Sequence, residues 1–242
     1  HNGKYYLTFP WVREKNGTEA LVYCMSDNPL GPFEYKGVIM EEHASGCWTN
    51  HHSIVEYKNQ WYLFYHHNDF SPQFDKNRSA CIDSLRFNPD GTIQQVIPTL
   101  RGVGITCANS QIQIDRYSSI NTKASVAFLN EDNKFEGWKT IFKKSGAAVQ
   151  YNKVDFGTAP IQAVKVRVKS ASGGILQVKT GGKKGNLIAT IKVPRCKDWI
   201  IIDTPVKNVP NGIQDLYVTL KSGSMEVDWL GFNGTSWAKD AF

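Results

Sequence analysis

The sequence predicts an all-β protein made of two different β architectures in tandem. Three observations carry that prediction. Apolar residues alternate with period two through nearly every segment, and no useful length repeats with helical period. Turn residues punctuate the alternation throughout, as in "DNPLGPF", "YKNQ" and "NPDGT". The strands also change character partway along, from aromatic-rich runs to shorter runs rich in Val and Ile.

In order, "KYYLTF", "EALVYCMS", "SIVEY", "QWYLFYHH", "ACIDSLRF" and "TIQQVI" read as the strands of the first half. "GKYYLTF" and "NQWYLFY" lie 56 residues apart and share an aromatic-Tyr-Leu-x-aromatic form. A strand unit repeated at that period fits propeller blades, which are four-stranded sheets arranged around an axis. Two copies account for only part of a ring. Residues 102–114 are expected to return and close this first domain, placed at 1–115. The polar stretch 116–124 reads as a linker.

From 125 to 232, "AVQYNKVDF", "AVKVRVKSA", "GILQVKT", "LIATIKV", "WIIIDTPV", "IQDLYVTLK" and "MEVDWLGF" are separated by Gly, Pro and Asn turns. Many short strands so spaced predict an antiparallel sandwich, with 233–242 as a tail. Nothing approaches the eighteen apolar residues of a membrane helix, so no membrane partner is expected.

Charge divides the chain. Residues 1–104 are net −2 and residues 105–242 net +8. The lysines of the second half are spread along strands, without a recognition helix or arginine-rich run, so a solvated sheet face is expected and not a nucleic-acid partner. Five cysteines lie far apart and form no zinc spacing, which suits small buried hydrophobes.

"GCWTNHHSIVEYKNQWYLFYHHND" holds four of the six histidines. His66 and His67 end a strand, where alternation sends them to opposite faces, so they are not expected to form a joint site. Glu41, Glu42, Asp69 and Asp75 read as solvated loop acids. Asn16, Asn77 and Asn233 each open a short glycosylation sequon.

With these segments in hand, the first half resembles the last blades of a five-bladed family 43 glycoside hydrolase propeller. The carrying residues are "HNGKYYLTFP", "TNHHSIVEYKNQWYLFYHHND", "KNRSACIDSLRFNPDGTI" and "IPTLRGVG". The second half resembles a family 6 carbohydrate-binding module of jelly-roll form, through "GAAVQYNKVDFG", "ASGGILQVKTGGKKGNLIATIKVP", "DWIIIDTPV" and "MEVDWLGF". The resemblance implies action on xylans and arabinose-decorated plant polysaccharides, as a β-xylosidase or α-L-arabinofuranosidase working with inversion. It also implies a secreted or periplasmic setting and no organic cofactor.

The resemblance further implies residue roles. Inversion needs a protonated carboxyl and a carboxylate base about 6.5–9.5 Å apart. The family draws these acids from earlier blades, so no catalytic residue is expected in this chain. The missing blades would come from an N-terminal half or a second chain. Trp48, Asn50 and Arg78 would face the sugar, although Arg78 reads equally as a surface arginine paired with Asp75. His51, in Asn50-His51-x-Ser53, would stand at the propeller axis near calcium, or else be a hydrogen-bonded core histidine. In the module, Trp199 would be one sugar-stacking ring or half-buried packing. Ala148 stands where the second ring belongs, and Glu226 replaces the usual Asn. Asp228 would be a structural calcium ligand. Two rival readings are a purely carbohydrate-binding protein and a structural interaction module.

Overall fold

A computed structural model describes residues 1–15, 17–43, 46–68 and 78–233. The chain forms two compact units, His1–Val103 and Gly104–Phe242.

The first unit holds two three-stranded antiparallel sheets. One joins β1 (Tyr5–Val12), β2 (Glu19–Ser26) and β3 (Glu34–Met40) in that order. The other joins β4 (Ser53–Tyr57), β5 (Gln60–His67) and β6 (Ser79–Leu85). The β4–β5 turn consists of Lys58 and Asn59, both at positive φ. Two such residues make the primed turn whose twist matches a hairpin, and Asn tolerates that conformation well. Leu21, Tyr23, Ile39, Met40, Leu63, Tyr65 and Leu85 form the buried core of this unit.

The two copies of the sequence repeat are not equivalent. Leu63 on β5 is fully buried, whereas its counterpart Leu7 on β1 is 49% exposed. β5 has a neighbour on each side, while β1 is an edge strand of its sheet. "TIQQVI", expected as a strand, contributes one bridge, Phe87 to Ile93. Gln94 N–H donates to Arg86 O and Val96 N–H to Ile39 O, while Ile93 and Val96 are buried, so the alternation reports burial with only a short stretch of pairing.

The second unit is a sandwich of two six-stranded sheets. Its strands are β7 (Thr106–Cys107), β8 (Ile112–Gln113), β9 (Ser119–Ile120), β10 (Ala124–Phe128), β11 (Trp138–Phe142), β12 (Ala148–Asp155), β13 (Ala163–Ser170), β14 (Gly174–Thr180), β15 (Asn186–Val193), β16 (Cys196–Pro205), β17 (Ile213–Gly223) and β18 (Met225–Asn233). One sheet runs β10-β11-β18-β13-β16 with β8 beside β18. The other runs β15-β14-β17-β12-β7 with β9 beside β12. Alternate residues Val164, Val166 and Val168 of one sheet, and Leu176, Val178 and Val218 of the other, are fully buried. This is the period-two core that the sequence foretold.

The expected boundary moves. Residues 102–114 do not close the first unit: β7 pairs with β12 and β8 with β18, both in the sandwich. Nor is 116–124 a linker, because β9 pairs with β12 and Ala124 opens β10. Polarity misled there, since Ser118 and Asn121 use their polar groups to bond the sandwich. The Ser118 hydroxyl accepts the Asn152 N–H, and the Asn121 amide bridges Gly146 O and the Ala148 N–H.

Candidate functional site

In the first unit, His51, His52, Phe64, His66 and Arg78 line an open concavity of about 380 Å³. β5 places Phe64 and His66 on one face by strand alternation, while Tyr65 and His67 point to the buried side. His67 instead lies 5.3 Å from the His43 ring, so the expectation that His66 and His67 are not a joint site holds. The partner of His66 is His51, whose backbone N–H donates to His66 Nε2 at 3.1 Å. That bond makes Nε2 an acceptor and puts the neutral imidazole's proton on Nδ1. Burial lowers the His66 pKa, and the Arg78 charge lowers it further. Burial lowers that of His52 as well, with His51 adding to it.

His51 itself is more than half exposed, with Nε2 3.6 Å from Glu19 Oε2. Glu19, which sequence reading did not single out, also accepts the Asn50 N–H at 2.7 Å and so orients this turn. Arg78 is exposed at the rim. Its suggested partner Asp75, like Asp69 and Asn77, lies outside the described residues, as does Asn16. Two expected sugar contacts are placed differently. Asn50 is fully buried, its Nδ2 toward Met40 Sδ, so it shapes the turn from beneath and presents nothing to solvent. Trp48 is exposed but is not part of the concavity lining. A larger hollow of about 600 Å³ lies around Lys4, Asp27, Glu34, Lys36 and Asp90. Its lysines pair with Asp27 and Glu34, which leaves little uncompensated charge for a ligand.

Of the four loop acids, the two among the described residues are occupied. Glu41 and Glu42 both pair with Arg13, and Glu42 also accepts the Thr18 N–H and hydroxyl. The Thr18 bonds hold the Glu42 carboxyl below its ordinary range, the opposite of what a proton donor needs.

In the second unit, β18 carries Glu226 and Asp228 beside β13. A bulge between Arg167 and Val168 lets the register skip Asp228 and turns that carboxylate against the Arg167 guanidinium. The guanidinium carbon also lies 5.1 Å from the centroid of the Trp199 ring. Arg167 therefore covers part of the ring, and Trp199 is half-buried packing as much as a platform. Glu226 lies 3.0 Å from Lys139 Nζ, an ion pair where the sequence comparison led one to look for a neutral amide. Ala148 is buried and supplies no second ring.

Asp228, expected as a calcium ligand, has a different neighbour here. Its carboxylate is engaged by Arg167, and burial raises its pKa despite that neighbour. The nearby carboxyl of Asp115 is likewise raised by burial, with Asp228 adding to the effect. Calcium takes six to eight oxygen donors. Among the described residues no three acidic, histidine or cysteine side chains converge, around Asp228 and His51 included.

The profile of carbohydrate binding module family 6 matches residues 111–234, and that of glycosyl hydrolases family 43 matches residues 1–93. An arabinoxylan arabinofuranohydrolase of Paenibacillus polymyxa is 27% identical over 253 residues, covering 93% of this chain and 38% of the relative. A β-xylosidase of Xylanibacter ruminicola is 44% identical over 98 residues, which is 40% of this chain and 28% of the relative. In fold, the chain matches a solved family 43 arabinoxylan arabinofuranohydrolase from Bacillus subtilis, in complex with cellotetraose, with a TM-score of 0.64. That match has 22% identity and covers 97% of this chain and 53% of the other. The chain thus spans between 28% and 53% of the length of these relatives. The chain belongs to carbohydrate-binding module family 6 through its second unit, and residues 1–93 of the first unit match the profile of glycosyl hydrolases family 43.

Proposed function

We propose that this chain is part of an inverting glycosidase acting on xylan or arabinose-decorated xylan. The observation that carries this reading is the concavity where His51, His66, Phe64 and Arg78 converge, in the unit that matches family 43, followed by a sugar-binding fold. A neutral His66 and a half-exposed Phe64 offer a hydrogen-bonding group and a flat apolar face. Arg78 adds a planar fork of donors suited to hydroxyls. A wall polysaccharide as substrate places the protein's action in a secreted or periplasmic setting.

The chain contributes one wall of the cleft, and the acid and base come from a complementary propeller sheet. Tyr5, Leu7 and Trp11 stand exposed on one face of β1, and β1 is the edge of its sheet. β5, its counterpart in the repeat, has β4 in the corresponding place. An open edge beside exposed aromatics is a docking surface for another strand. The occupant is a propeller blade, from a longer polypeptide or from a second chain.

The test is turnover of nitrophenyl β-xyloside and α-L-arabinofuranoside by the purified chain. The expected rate is that of the buffer blank. Turnover abolished by mutating an acid of this chain would overturn the division of labour.

A further inference from the structure

The sequence spreads its lysines evenly, but the fold gathers several at one end of the sandwich. Lys143 N–H donates to Lys123 O at 3.1 Å, bringing the start of β10 beside the end of β11. The turn that follows, residues 143–147, closes with Ala147 N–H on Lys144 O at 2.9 Å. Ser145 Oγ donates to Lys221 O at 2.8 Å, and Gly146 N–H donates to Leu220 O at 2.8 Å. Gly146 has φ +80°, which L side chains rarely adopt, and a Cβ there would press on Lys123 Nζ at 3.0 Å. The turn is thus held rigidly, with Lys123, Lys143, Lys144 and Lys221 all exposed.

Trp199 lies at the same end. Ser170 pairs with Cys196 and Val168 with Ile200, while Ser170 Oγ reaches Ser224 O at 2.6 Å. Arg195, also exposed, donates from Nε to Ser172 O at 3.4 Å. Among the described residues, the acids at this end are Glu226, paired with Lys139, Asp228, paired with the Arg167 that packs on Trp199, and Asp198 beside Trp199. Among the described residues none of the four lysines forms an ion pair, and Lys123 Nζ donates to Ser145 O at 3.3 Å. Gathered like charge costs electrostatic energy that a bound anion relieves, and a rigid loop lowers the entropy lost on binding.

We propose that this end of the module binds a polysaccharide bearing uronate carboxylates, with the lysine turn facing the acid groups and Trp199 facing a sugar ring. This rests on the carbohydrate-binding reading and narrows its ligand to an anionic glycan.

The test is binding of the full chain to a glucuronate-bearing xylan, to the same polymer after carboxyl reduction, and to polyglutamate. Expected is at least tenfold weaker binding to the reduced polymer and to polyglutamate. The Lys143→Gln, Lys144→Gln, Lys221→Gln triple variant should lose about the same factor on the acidic xylan, while the corresponding Arg triple retains binding. Raising the salt should weaken the acidic interaction most, because these charges are exposed. Equal binding to acidic and reduced xylan overturns the proposal and leaves neutral-xylan binding standing. Equal binding to polyglutamate reduces the patch to generic charge and overturns it. A Gln triple that binds normally overturns it too, as does a chain that binds neither xylan, which would also remove the carbohydrate-binding reading.

Discussion

The two units solve the same problem differently. The sandwich buries the inner faces of its sheets against each other, so Val166, Leu176 and Val218 each lose all exposure within a single unit. The first unit buries only part of what its strands offer. Its core of Leu21, Ile39, Met40 and Leu63 is fully buried, yet Tyr5, Leu7, Trp11, Val55, Tyr57 and Phe64 remain exposed. Burial of a large apolar side chain is worth about 1.5–3 kcal/mol. A row left in water therefore marks stabilisation that the sandwich already has and the blades have yet to gain. The difference separates a self-contained module from a segment shaped to meet a neighbour.

The largest effect expected from this contrast is in cooperativity. Limited proteolysis of the chain alone should cut within 1–103 first and leave a resistant sandwich, and calorimetry should show two transitions. A single transition with uniform resistance would erase the contrast. Next in size is a comparison between the repeat positions. Leu63→Ala should destabilise the first unit by about 2–5 kcal/mol, whereas Leu7→Ala should stay within about 0.5 kcal/mol. Measured by denaturant unfolding, similar losses at both sites would mean that β1 is already covered in solution.

A smaller effect is expected with pH. His66 and His52 have native pKa values below the ordinary value of 6.5, chiefly through burial. The unfolded chain therefore takes up protons at higher pH than the native one. The stability these neutral imidazoles confer is complete above about pH 6.5 and declines as pH falls toward the native pKa values. The first transition should lose more than the second between pH 7 and pH 5, and His66→Gln should flatten that loss. An equal response of both transitions would place the titration elsewhere.

Much of this architecture was legible because alternation reports burial directly. "AVKVRVKS" places Val164, Val166 and Val168 in the core, and all three are there. Legibility failed where polar groups bond backbone, as at Ser118 and Asn121, and where alternation meant burial with only a short stretch of pairing, as at "TIQQVI". At the site, the histidine-rich segment and Arg78 could be singled out, since their residue types suggest chemistry on their own. Asn50 could not be placed, because a buried amide and a sugar-facing amide look alike in sequence. Nor could Arg167, which meets Asp228 from 61 residues away through a bulge that no local pattern announces.

The segment after Val103 enters the sandwich in an unusual way. β7 adds to one sheet, β8 to the other, and β9 returns to the first, with Ala108 accepting the Phe232 N–H and donating to Asp155 O. Tension arriving along the chain from Val103 therefore does not fall on one hairpin that can unzip bond by bond. It meets the short β7–β12 ladder of one layer first and the β8–β18 ladder of the other layer next. The entry strands thus stitch the start of the second unit to both of its layers within fifteen residues, from Thr106 to Ile120.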